Sequence, residues 1–481
     1  MKVLFIYPDL FEFIPGFPGT YYVGVGSLAA VVKRAGHEAS LIHLVEPWKE
    51  RAEFLQRVEA EKPDLVAFSS TTLQFSLVRQ MAGWLHESGA KIPTLCGGVH
   101  PTISPEEAIA TTGLDFICRG EGEGALVELC QRLARQEDPS SIRNLWVKGK
   151  GGITRNGLRP LQDLDALPYP DREIFPHYRN LWWERNGTAA VMASRGCPFD
   201  CNYCCNKILR QVHPEGAKSA RFRSPAGVIG EIREIRERFP FVQSLNFDDD
   251  ILFLRKDWSA EFLGRYRKEV GLPFYCNVRP GRLDPELVRE MRESGCREVR
   301  LGLESGNDRV RNQVLNRHIS REQIAEAVSL FRSHGIHVRT FNMVGIPDEH
   351  PRDVLDTIKM NAQLGVPDPQ VTIFYPFPGT ELHEVCRKNG FLTDRPLVDY
   401  YYDTALSLPT LSPGQILMFH HYFDRFLRMY AFVFRLPRWL SQPLSASLDG
   451  FLCHPNTPLL ARLIRRVVHA LRPAASRTDN R

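Results

Sequence analysis

Ser194-Arg195-Gly196-Cys197-Pro198-Phe199-Asp200-Cys201-Asn202-Tyr203-Cys204-Cys205 is the stretch on which the interpretation of the 481-residue chain depends. Three of its cysteines follow at C-x3-C-x2-C spacing, and Tyr203 stands just before the third. Thiolates are soft ligands that suit iron–sulfur clusters. A structural zinc site is closed by four ligands, usually from two separate C-x2-C pairs, and the sequence has no second pair. Cys197, Cys201 and Cys204 therefore predict a metal centre that leaves one position open for a ligand from outside the protein.

This stretch resembles the cluster motif of radical S-adenosylmethionine (SAM) enzymes. In that family three cysteines hold a [4Fe-4S] cluster, and SAM chelates the fourth iron through its amino and carboxylate groups. The resemblance implies that an electron from the cluster cleaves SAM to methionine and a 5′-deoxyadenosyl radical. It also implies an electron donor such as a flavodoxin or a ferredoxin. Taken alone, the spacing is also compatible with a redox trio or a zinc fragment.

Composition limits the class of protein, its partners and the compartment in which it is expected. Its hydrophobic fraction of 43% is enough for a globular core, and its net charge of +5 gives no indication of nucleic acid as a partner. The chain has eleven cysteines, of which those outside the quoted stretch are scattered along the sequence. It opens directly into a strand-like run without a visible signal peptide. No apolar run reaches the ~18 residues of a membrane span. We therefore expect a cytoplasmic protein with free thiols.

The N-terminal part of the chain alternates apolar runs with stretches of helical periodicity. Such alternation is typical of parallel strands in a sheet that helices cover on both faces. We predict strands at 3–7, 39–44, 65–69, 93–97 and 115–118, with helices at 24–35, 49–61, 72–88, 105–111 and 123–135. The fold expected for residues 1–140 is a doubly wound, Rossmann-like α/β domain with its ligand beyond the carboxyl ends of the strands.

Small and hydroxyl residues follow several of these predicted strands, where they let a large flat ligand approach the backbone. No G-x-G-x-x-G follows the first strand, which argues against a dinucleotide. The pattern resembles the cobalamin-binding domain that precedes the cluster domain in one class of radical SAM enzymes. The candidate cobalamin contacts are Thr71, Thr72, Gly97, Gly98, His100, Glu121 and Gly122.

One feature departs from many cobalamin domains, which carry a D-x-H-x-x-G motif whose histidine ligates cobalt. The chain lacks that motif, and His37 lies at the end of a predicted helix, where a cation also suits the helix dipole. His100 lies in a suitable loop without the motif around it. Either cobalt has no protein imidazole ligand, as is said of some members of the class, or the domain has lost its cofactor.

Residues 141–187 are predicted to form a linker with a hairpin, and residues 188–395 repeat a second strand–helix alternation six times. The predicted strands are 189–194, 242–247, 274–278, 298–303, 337–344 and 370–375, and several of the helices between them begin at a capping residue. Six units predict a partial (β/α)6 barrel of TIM type, which is what the family uses. By analogy with full barrels, its active groups should lie at the strand carboxyl ends.

Polar residues follow these strands as well, and the resemblance implies SAM contacts among them. Many relatives carry Gly-Gly-Glu after the second strand, and here Asp248, Asp249 and Asp250 stand instead. Those acids are also compatible with a cap for the next helix. The candidate SAM contacts are Tyr203, Asp248, Asp249, Arg279, Glu304 and Ser305, with Glu304 preferred as an acceptor for the ribose hydroxyls.

Residues 396–481 differ in character and are predicted to form a helical C-terminal cap. The segment 417–434 is crowded with aromatic and aliphatic residues, and 458–471 has the pattern of a basic amphipathic helix. Such a helix can lie on a membrane surface, so peripheral contact with the inner membrane face is one hypothesis. A helical layer packed over the barrel is the alternative.

The leading hypothesis is a cobalamin-dependent radical SAM enzyme that methylates an unactivated carbon of an apolar or polycyclic small molecule. Some relatives instead cyclise or oxidise tetrapyrroles, and this is the second hypothesis. A tRNA methylthiotransferase is disfavoured, because Cys96, Cys118 and Cys130 lie on separate predicted elements. A non-enzymatic cobalamin or cluster sensor is the remaining alternative.

Metal and cobalamin content test this interpretation directly. We expect protein purified without oxygen to contain one cobalamin and about four iron atoms per chain, as one [4Fe-4S] cluster requires. Iron assay and the visible spectrum of released cobalamin measure both. Iron without cobalamin would instead indicate a radical enzyme that uses the cluster alone.

Overall fold

The structure is a computed structural model that describes residues 1–9, 14, 16–46, 48, 50–213, 220–281, 283–393 and 401–458. The chain divides into two compact units. The first comprises Met1–Pro198 and Cys204–Phe274, and the second comprises Phe199–Tyr203 and Tyr275–Arg481. The cysteine motif therefore contributes to both units.

A seven-stranded sheet forms the N-terminal part of the first unit, with strand order β2-β1-β3-β4-β5-β6-β7. Its strands are β1 (Lys2–Pro8), β2 (Glu38–Leu44), β3 (Leu65–Ser69), β4 (Thr94–Gly97), β5 (Phe116–Cys118), β6 (Leu145–Gly149) and β7 (Gly152–Arg155). The first five are parallel, whereas β6 and β7 form the predicted hairpin and extend the sheet in antiparallel fashion. The predicted Rossmann-like α/β fold is confirmed, and the hairpin belongs to its sheet.

Helices cover both faces of this sheet because its central strands are apolar on both sides. Val3, Phe5 and Tyr7 of β1 face one hydrophobic cluster, and Leu4 and Ile6 face another. The helices are α1 (Val23–Arg34), α2 (Arg51–Glu61), α3 (Phe75–Glu87), α4 (Val99–Ile103), α5 (Pro105–Ala110) and α6 (Glu123–Ala134). Helix α4 was not predicted, and it places His100 in a helical turn rather than in a loop.

The radical SAM-like part of the chain contains a second sheet whose strand order follows the chain: β8-β11-β12-β13-β14-β15. These strands are β8 (Thr188–Val191), β11 (Ser244–Phe247), β12 (Phe274–Val278), β13 (Cys296–Glu304), β14 (His337–Val344) and β15 (Gln370–Ile373). A small antiparallel pair, β9 (Ser194–Arg195) and β10 (Arg221–Phe222), flanks the cysteine motif. Six strands in chain order confirm the predicted partial barrel.

Helices alternate with these strands, and several begin at the predicted caps. They are α7 (Cys205–Val212), α8 (Pro225–Arg238), α9 (Lys256–Glu269), α10 (Pro285–Glu293), α11 (Arg321–Ser333), α12 (Pro351–Leu364) and α13 (Glu381–Lys388). Ser224 and Asp284 accept backbone hydrogen bonds from Gly227 and Leu287, and Ser320 forms the expected capping box. Each cap satisfies backbone N–H groups that the first helical turn leaves unpaired.

Two C-terminal helices follow in the second unit, α14 (Pro413–Val433) and α15 (Arg438–Cys453). Helix α14 buries Ile416, Phe419 and Phe423 in a cluster that also contains side chains of α12. A helical layer packed on the barrel is therefore observed. The predicted amphipathic helix at 458–471 lies almost wholly outside the described residues. No helix within the described ranges is long and apolar enough to cross a bilayer.

A buried ion network ties the linker to the start of the second sheet, all within the first unit. The guanidinium of Arg172 donates to Glu231 Oε1 at 2.7 Å and to the Ala190 carbonyl at 2.9 Å. Arg223 donates to Glu231 Oε2 at 2.7 Å. All three charged side chains are almost fully buried. One carboxylate on α8 is thus the shared counter-ion of two buried guanidinium groups.

Replacing Glu231 with glutamine should strongly destabilise the first unit. The variant leaves two buried guanidinium groups without a counter-charge, which typically costs about 3–5 kcal/mol. Denaturant unfolding followed by circular dichroism measures the change. The matched control is Glu237→Gln, an exposed position on the same helix, which should stay close to wild type. Equal effects of the two substitutions would show that the network does not stabilise the fold.

Candidate active site

The cysteine motif begins directly after β9, and acidic residues from the end of β11 fix both of its flanks. Asp249 accepts hydrogen bonds from the Ser194 hydroxyl and, at 3.1 Å, from the Ala193 N–H. Asp250 accepts from the Asn206 amide at 2.9 Å, in the first turn of α7. Asp249 is fully buried, and that burial raises the pKa of its carboxyl to about 7. The loop of the motif is therefore held at its entry and at its exit.

The three motif cysteines differ in exposure. Cys201 is buried, whereas Cys197 and Cys204 are half-buried, and the Cys197 carbonyl accepts a hydrogen bond from Arg210 of α7. No group of three His, Cys, Asp or Glu side chains in the described part of the chain is arranged to hold a metal ion. The assignment of the three ligands thus rests on their spacing and on thiolate chemistry, which fits an iron–sulfur cluster.

In the second unit, Tyr203 belongs to a buried polar cluster with Glu304 and Arg317. The Tyr203 hydroxyl donates to Glu304 Oε1 at 3.2 Å, and the Arg317 guanidinium contacts the same oxygen at 3.1 Å. Arg317 also bonds the Tyr203 hydroxyl and the Gly302 carbonyl. Burial raises the pKa of Glu304. Two of the predicted SAM contacts, Tyr203 and Glu304, are brought together in this cluster.

Arg279 adjoins the same cluster. Its guanidinium lies 3.7 Å from the centre of the Phe199 ring and donates to the Arg317 carbonyl. Burial and the charge of Arg317 lower the pKa of Arg279, and the Cys201 thiol beside it acts in the opposite direction. Ser305 is fully buried, and its hydroxyl accepts from the Asn307 N–H.

Arg317 is a residue of this polar cluster that was not predicted from the sequence. It follows a π-helical turn, Val310–Val314, and carries a charge between apolar neighbours, Leu315 and Ile319. A charged residue in an otherwise buried stretch was the available signal. Its partners come from elsewhere along the chain, so the sequence offered no way to place it beside Tyr203.

A cavity of about 340 Å³ opens at the carboxyl ends of the strands in the N-terminal sheet of the first unit. Its walls include Gly97, Gly98, Glu121 and Gly122, which were predicted as cobalamin contacts. Gly98 has a φ of +107°, and a Cβ there would lie 2.5 Å from the Ser70 carbonyl oxygen. Only glycine fits this position, so the backbone itself forms the cavity wall. Small residues around an apolar cavity suit a large flat cofactor.

Three other predicted contacts are not among the described residues that line this cavity: Thr71, Thr72 and His100. The ring of His100 stacks on Phe75 with 3.9 Å between the ring centres, and its Nε2 lies 3.6 Å from Glu107. Burial lowers the pKa of His100 to about 4. The imidazole is thus neutral near pH 7 and packed into the protein.

A second part of the cavity wall comes from residues that flank the cysteine motif. They are Met192, Arg195, Gly196, Asn206, Leu209, Arg210, His213 and Arg221. Arg195 pairs with Glu121 at 3.1 Å and with Glu123 at 2.6 Å, and Arg221 also pairs with Glu121. These ion pairs join the end of β5 to the strands around the motif. The cavity therefore borders both the sheet and the residue directly before Cys197.

Comparisons with known proteins agree with this geometry. The profile of the radical SAM superfamily matches residues 191–360, and the profile of the B12 binding domain matches residues 20–130. The chain is thus a radical SAM enzyme. It belongs to the group of these enzymes that carry a B12-binding domain, and its cofactors are SAM, a [4Fe-4S] cluster and cobalamin.

Relatives with assigned names share most of the chain. An uncharacterized methyltransferase of Pyrococcus horikoshii is 27% identical over 82% of this chain and 84% of its own. An anaerobic magnesium-protoporphyrin IX monomethyl ester cyclase of Rubrivivax gelatinosus is 23% identical over 80% and 70%. The hopanoid C-3 methylase of Methylococcus capsulatus is 25% identical over 79% and 72%.

Solved structures show the same fold at low sequence identity. The methyltransferase TsrM of Kitasatospora setae, with cobalamin and a [4Fe-4S] cluster bound, superposes with a TM-score of 0.65. It is 16% identical and covers 82% of this chain and 76% of its own. The radical enzyme OxsB, with aqua-cobalamin and SAM bound, gives a TM-score of 0.68 at 13% identity, over 97% and 75% of the two chains.

Replacing Asp249 with asparagine should remove a pH-dependent loss of stability. Asparagine can accept from the Ala193 N–H with its oxygen and donate to the Ser194 hydroxyl with its nitrogen, although it cannot accept from the Ser194 N–H at that nitrogen. The comparison therefore uses the pH dependence of stability and not its absolute value. The folded protein binds the Asp249 proton more tightly than the unfolded chain does, since the pKa rises from 3.8 to about 7. Wild type should therefore lose roughly 1–4 kcal/mol relative to the variant as pH rises through that window, and no more above it.

Denaturant unfolding of both proteins across this pH range makes the comparison, and exposed Asp257→Asn on α9 serves as the control. That control should show the wild-type pH profile. A wild-type stability that rises relative to Asp249→Asn over the same range would contradict the assignment.

Proposed function

We propose that this enzyme is a cobalamin-dependent methyltransferase that acts on an unactivated carbon of an apolar or polycyclic small molecule. The observation that carries the proposal is the cavity of the first unit. One wall consists of the strand ends of the B12-binding domain, and the other includes Gly196, Asn206 and Arg210 around the cysteine motif. Bound there, cobalamin would lie beside the loop that holds the cluster.

Within the proposal, the groups of this chain have separate tasks. Cys197, Cys201 and Cys204 hold the cluster, and Gly97, Gly98 and Gly122 give the corrin a backbone surface on which to lie. The bound cofactors supply a 5′-deoxyadenosyl radical and a methyl group, which is chemistry that no side chain provides. The polar cluster of Tyr203, Glu304 and Arg317 is the proposed site for polar groups of SAM. Its internal bonds hold the Glu304 carboxylate in one orientation.

The apolar character of the substrate is inferred from relatives. The hopanoid C-3 methylase and the magnesium-protoporphyrin cyclase are both named for large polycyclic substrates. A small-molecule substrate and an external one-electron donor, such as a flavodoxin or a ferredoxin, complete the proposal. The similarity to the cyclase also supports a second candidate, an oxidative cyclisation of a tetrapyrrole-like substrate.

Two substitutions in adjacent cysteines test the catalytic core. We expect Cys201→Ala to lose the cluster absorbance and to form no 5′-deoxyadenosine from SAM after anaerobic reconstitution and reduction. Cys205→Ala is the matched control, since Cys205 stands outside the C-x3-C-x2-C spacing, and it should keep both. Both variants should retain cobalamin, because neither residue lines the cavity. Cluster loss in both variants would contradict the ligand assignment.

SAM labelled with deuterium in its methyl group separates the two candidate functions. A methyltransferase should transfer the label first to reduced cobalamin and then, with candidate polycyclic acceptors, to the product, as followed by mass spectrometry. A cyclase should form 5′-deoxyadenosine and a product without the label. SAM cleavage with an unlabelled product would therefore overturn methyl transfer and support the cyclase.

A further inference from the structure

The two C-terminal helices expose an unusual set of large apolar side chains. Trp439 is 73% exposed and Phe432 is 64% exposed, and Met429, Leu444 and Phe451 are also exposed. These five residues are defined here as the apolar patch. Outside them, Trp183 and Tyr402 are the remaining exposed large apolar residues in the described part of the chain. Five exposed large apolar residues on two consecutive helices indicate an interaction surface.

Helix α15 is exposed along most of its length. It buries one residue, Leu452, among its 16, whereas α14 buries eight of its 21. Near its C-terminal end α15 is anchored, because Asp449 accepts from Lys359 at 2.5 Å and from the Tyr430 hydroxyl at 2.6 Å. Its N-terminal half, with Trp439 and Leu444, has no comparable burial. The helix is thus fixed at one end and presents apolar side chains at the other.

The charge around the apolar patch is predominantly positive. Residues 425–448 contain four arginines and no aspartate or glutamate, and the acidic residues that flank this range are the exposed Asp424, and Asp449, which pairs with Lys359. Arg425, Arg428 and Arg435 are exposed on or just after α14, and Arg438 is exposed at the start of α15. Arg425 and Arg428 precede Met429 and Phe432 at helical spacings of four, so they share one helix face. Tryptophan and arginine beside exposed aliphatic residues are characteristic of segments that lie in the membrane interface.

We infer that the apolar patch and its four arginines dock on the surface of an anionic phospholipid bilayer. Trp439, Phe432 and Leu444 enter the boundary between headgroups and acyl chains, and the arginines pair with lipid phosphates. Anionic lipids attract basic residues next to an apolar anchor. The inference does not depend on the proposed methyl transfer, since it concerns the C-terminal helices alone.

Charge also argues against the C-terminal segment, residues 459–481, as the partner that covers the apolar patch. Residues 459–481 contain six arginines and one acidic residue. Two segments rich in arginine repel each other, whereas both are attracted to an anionic lipid surface. The charge complementarity therefore favours the membrane over the protein's own C-terminal segment and over a second copy of the same patch.

Vesicle flotation of the full-length protein tests the inference. We expect the protein to float with vesicles of phosphatidylcholine mixed with phosphatidylglycerol, but not with phosphatidylcholine alone. High salt should weaken binding, because it screens exposed charges. Absence of flotation with the anionic vesicles would overturn the inference, and it would leave the proposed methyl transfer intact.

Two pairs of variants locate the surface. Phe432→Ser/Trp439→Ser should weaken vesicle binding by about tenfold or more, since each side chain contributes apolar burial. Its matched control is Trp183→Ser/Tyr402→Ser, which removes exposed aromatic residues elsewhere.

The second pair tests the charged residues. Arg435→Glu/Arg438→Glu should also weaken binding to the anionic vesicles, whereas Arg57→Glu/Arg135→Glu, with the same change in net charge, should not. If a double variant and its matched control weaken vesicle binding equally, the assignment to this surface is overturned.

Two further measurements keep the test independent of variant folding. Trp439→Phe should bind like wild type but lose the part of the tryptophan emission that brominated phosphatidylglycerol quenches. Unchanged quenching in this variant would place Trp439 outside the bilayer and overturn the inference. A lipid-free dimer that Phe432→Ser/Trp439→Ser converts to a monomer would assign the patch to self-association instead.

Discussion

The ion pairs of Arg195 are the interaction on which the candidate cofactor site depends. Arg195 stands two residues before Cys197, and its guanidinium contacts Glu121 and Glu123 at the end of the N-terminal sheet. Glu123 is almost fully buried, so its charge needs a partner close by. Because one side chain links the strand before the motif to the loop after β5, the cavity acquires two walls of different origin. Neither wall alone would place a flat cofactor next to the cluster loop.

Three buried networks of charged side chains hold the loops of this structure in place. Glu231 holds Arg172 and Arg223, and Asp249 holds the entry to the cysteine motif. In the second unit, Arg317 holds Tyr203 and Glu304. Burying each of these charged groups costs free energy, and its ion pairs and hydrogen bonds offset that cost only in one geometry. Such networks therefore favour a single arrangement of their loops. Sites that must orient a radical precursor and a substrate depend on such fixed geometry.

Much of the fold could be predicted from the sequence because strand-like runs alternate with stretches of helical periodicity. β3, β12 and β14 were predicted with their observed bounds: β3 is buried at every position, and β12 and β14 bury alternate residues over most of their length. Helix α4 was missed because it is a single short turn that contains Pro101. Helix α15 lies within the predicted helical C-terminal cap, but its bounds were not predicted because Pro443 and several serines obscure its pattern.

The candidate site was less predictable, because its contacts join residues far apart in the chain. Glycines at strand ends indicated the cavity, but no local pattern could show that Arg195 meets Glu121 or that Arg317 meets Tyr203. His100 shows that a position after a strand does not by itself reveal what a side chain contacts. Its position after a strand suggested a cofactor contact, yet its ring packs on Phe75, which only the folded chain reveals.

Electron paramagnetic resonance of the fully loaded enzyme tests the central claim most directly. The claim is that one cavity places cobalamin beside the loop that carries Cys197. Cob(II)alamin and the reduced cluster both carry unpaired spins, and spins held close together broaden or split each other's signals. The account predicts that reduction of the cluster changes the cob(II)alamin spectrum in wild type and leaves it unchanged in Cys201→Ala. Two independent, unperturbed signals in wild type would contradict it.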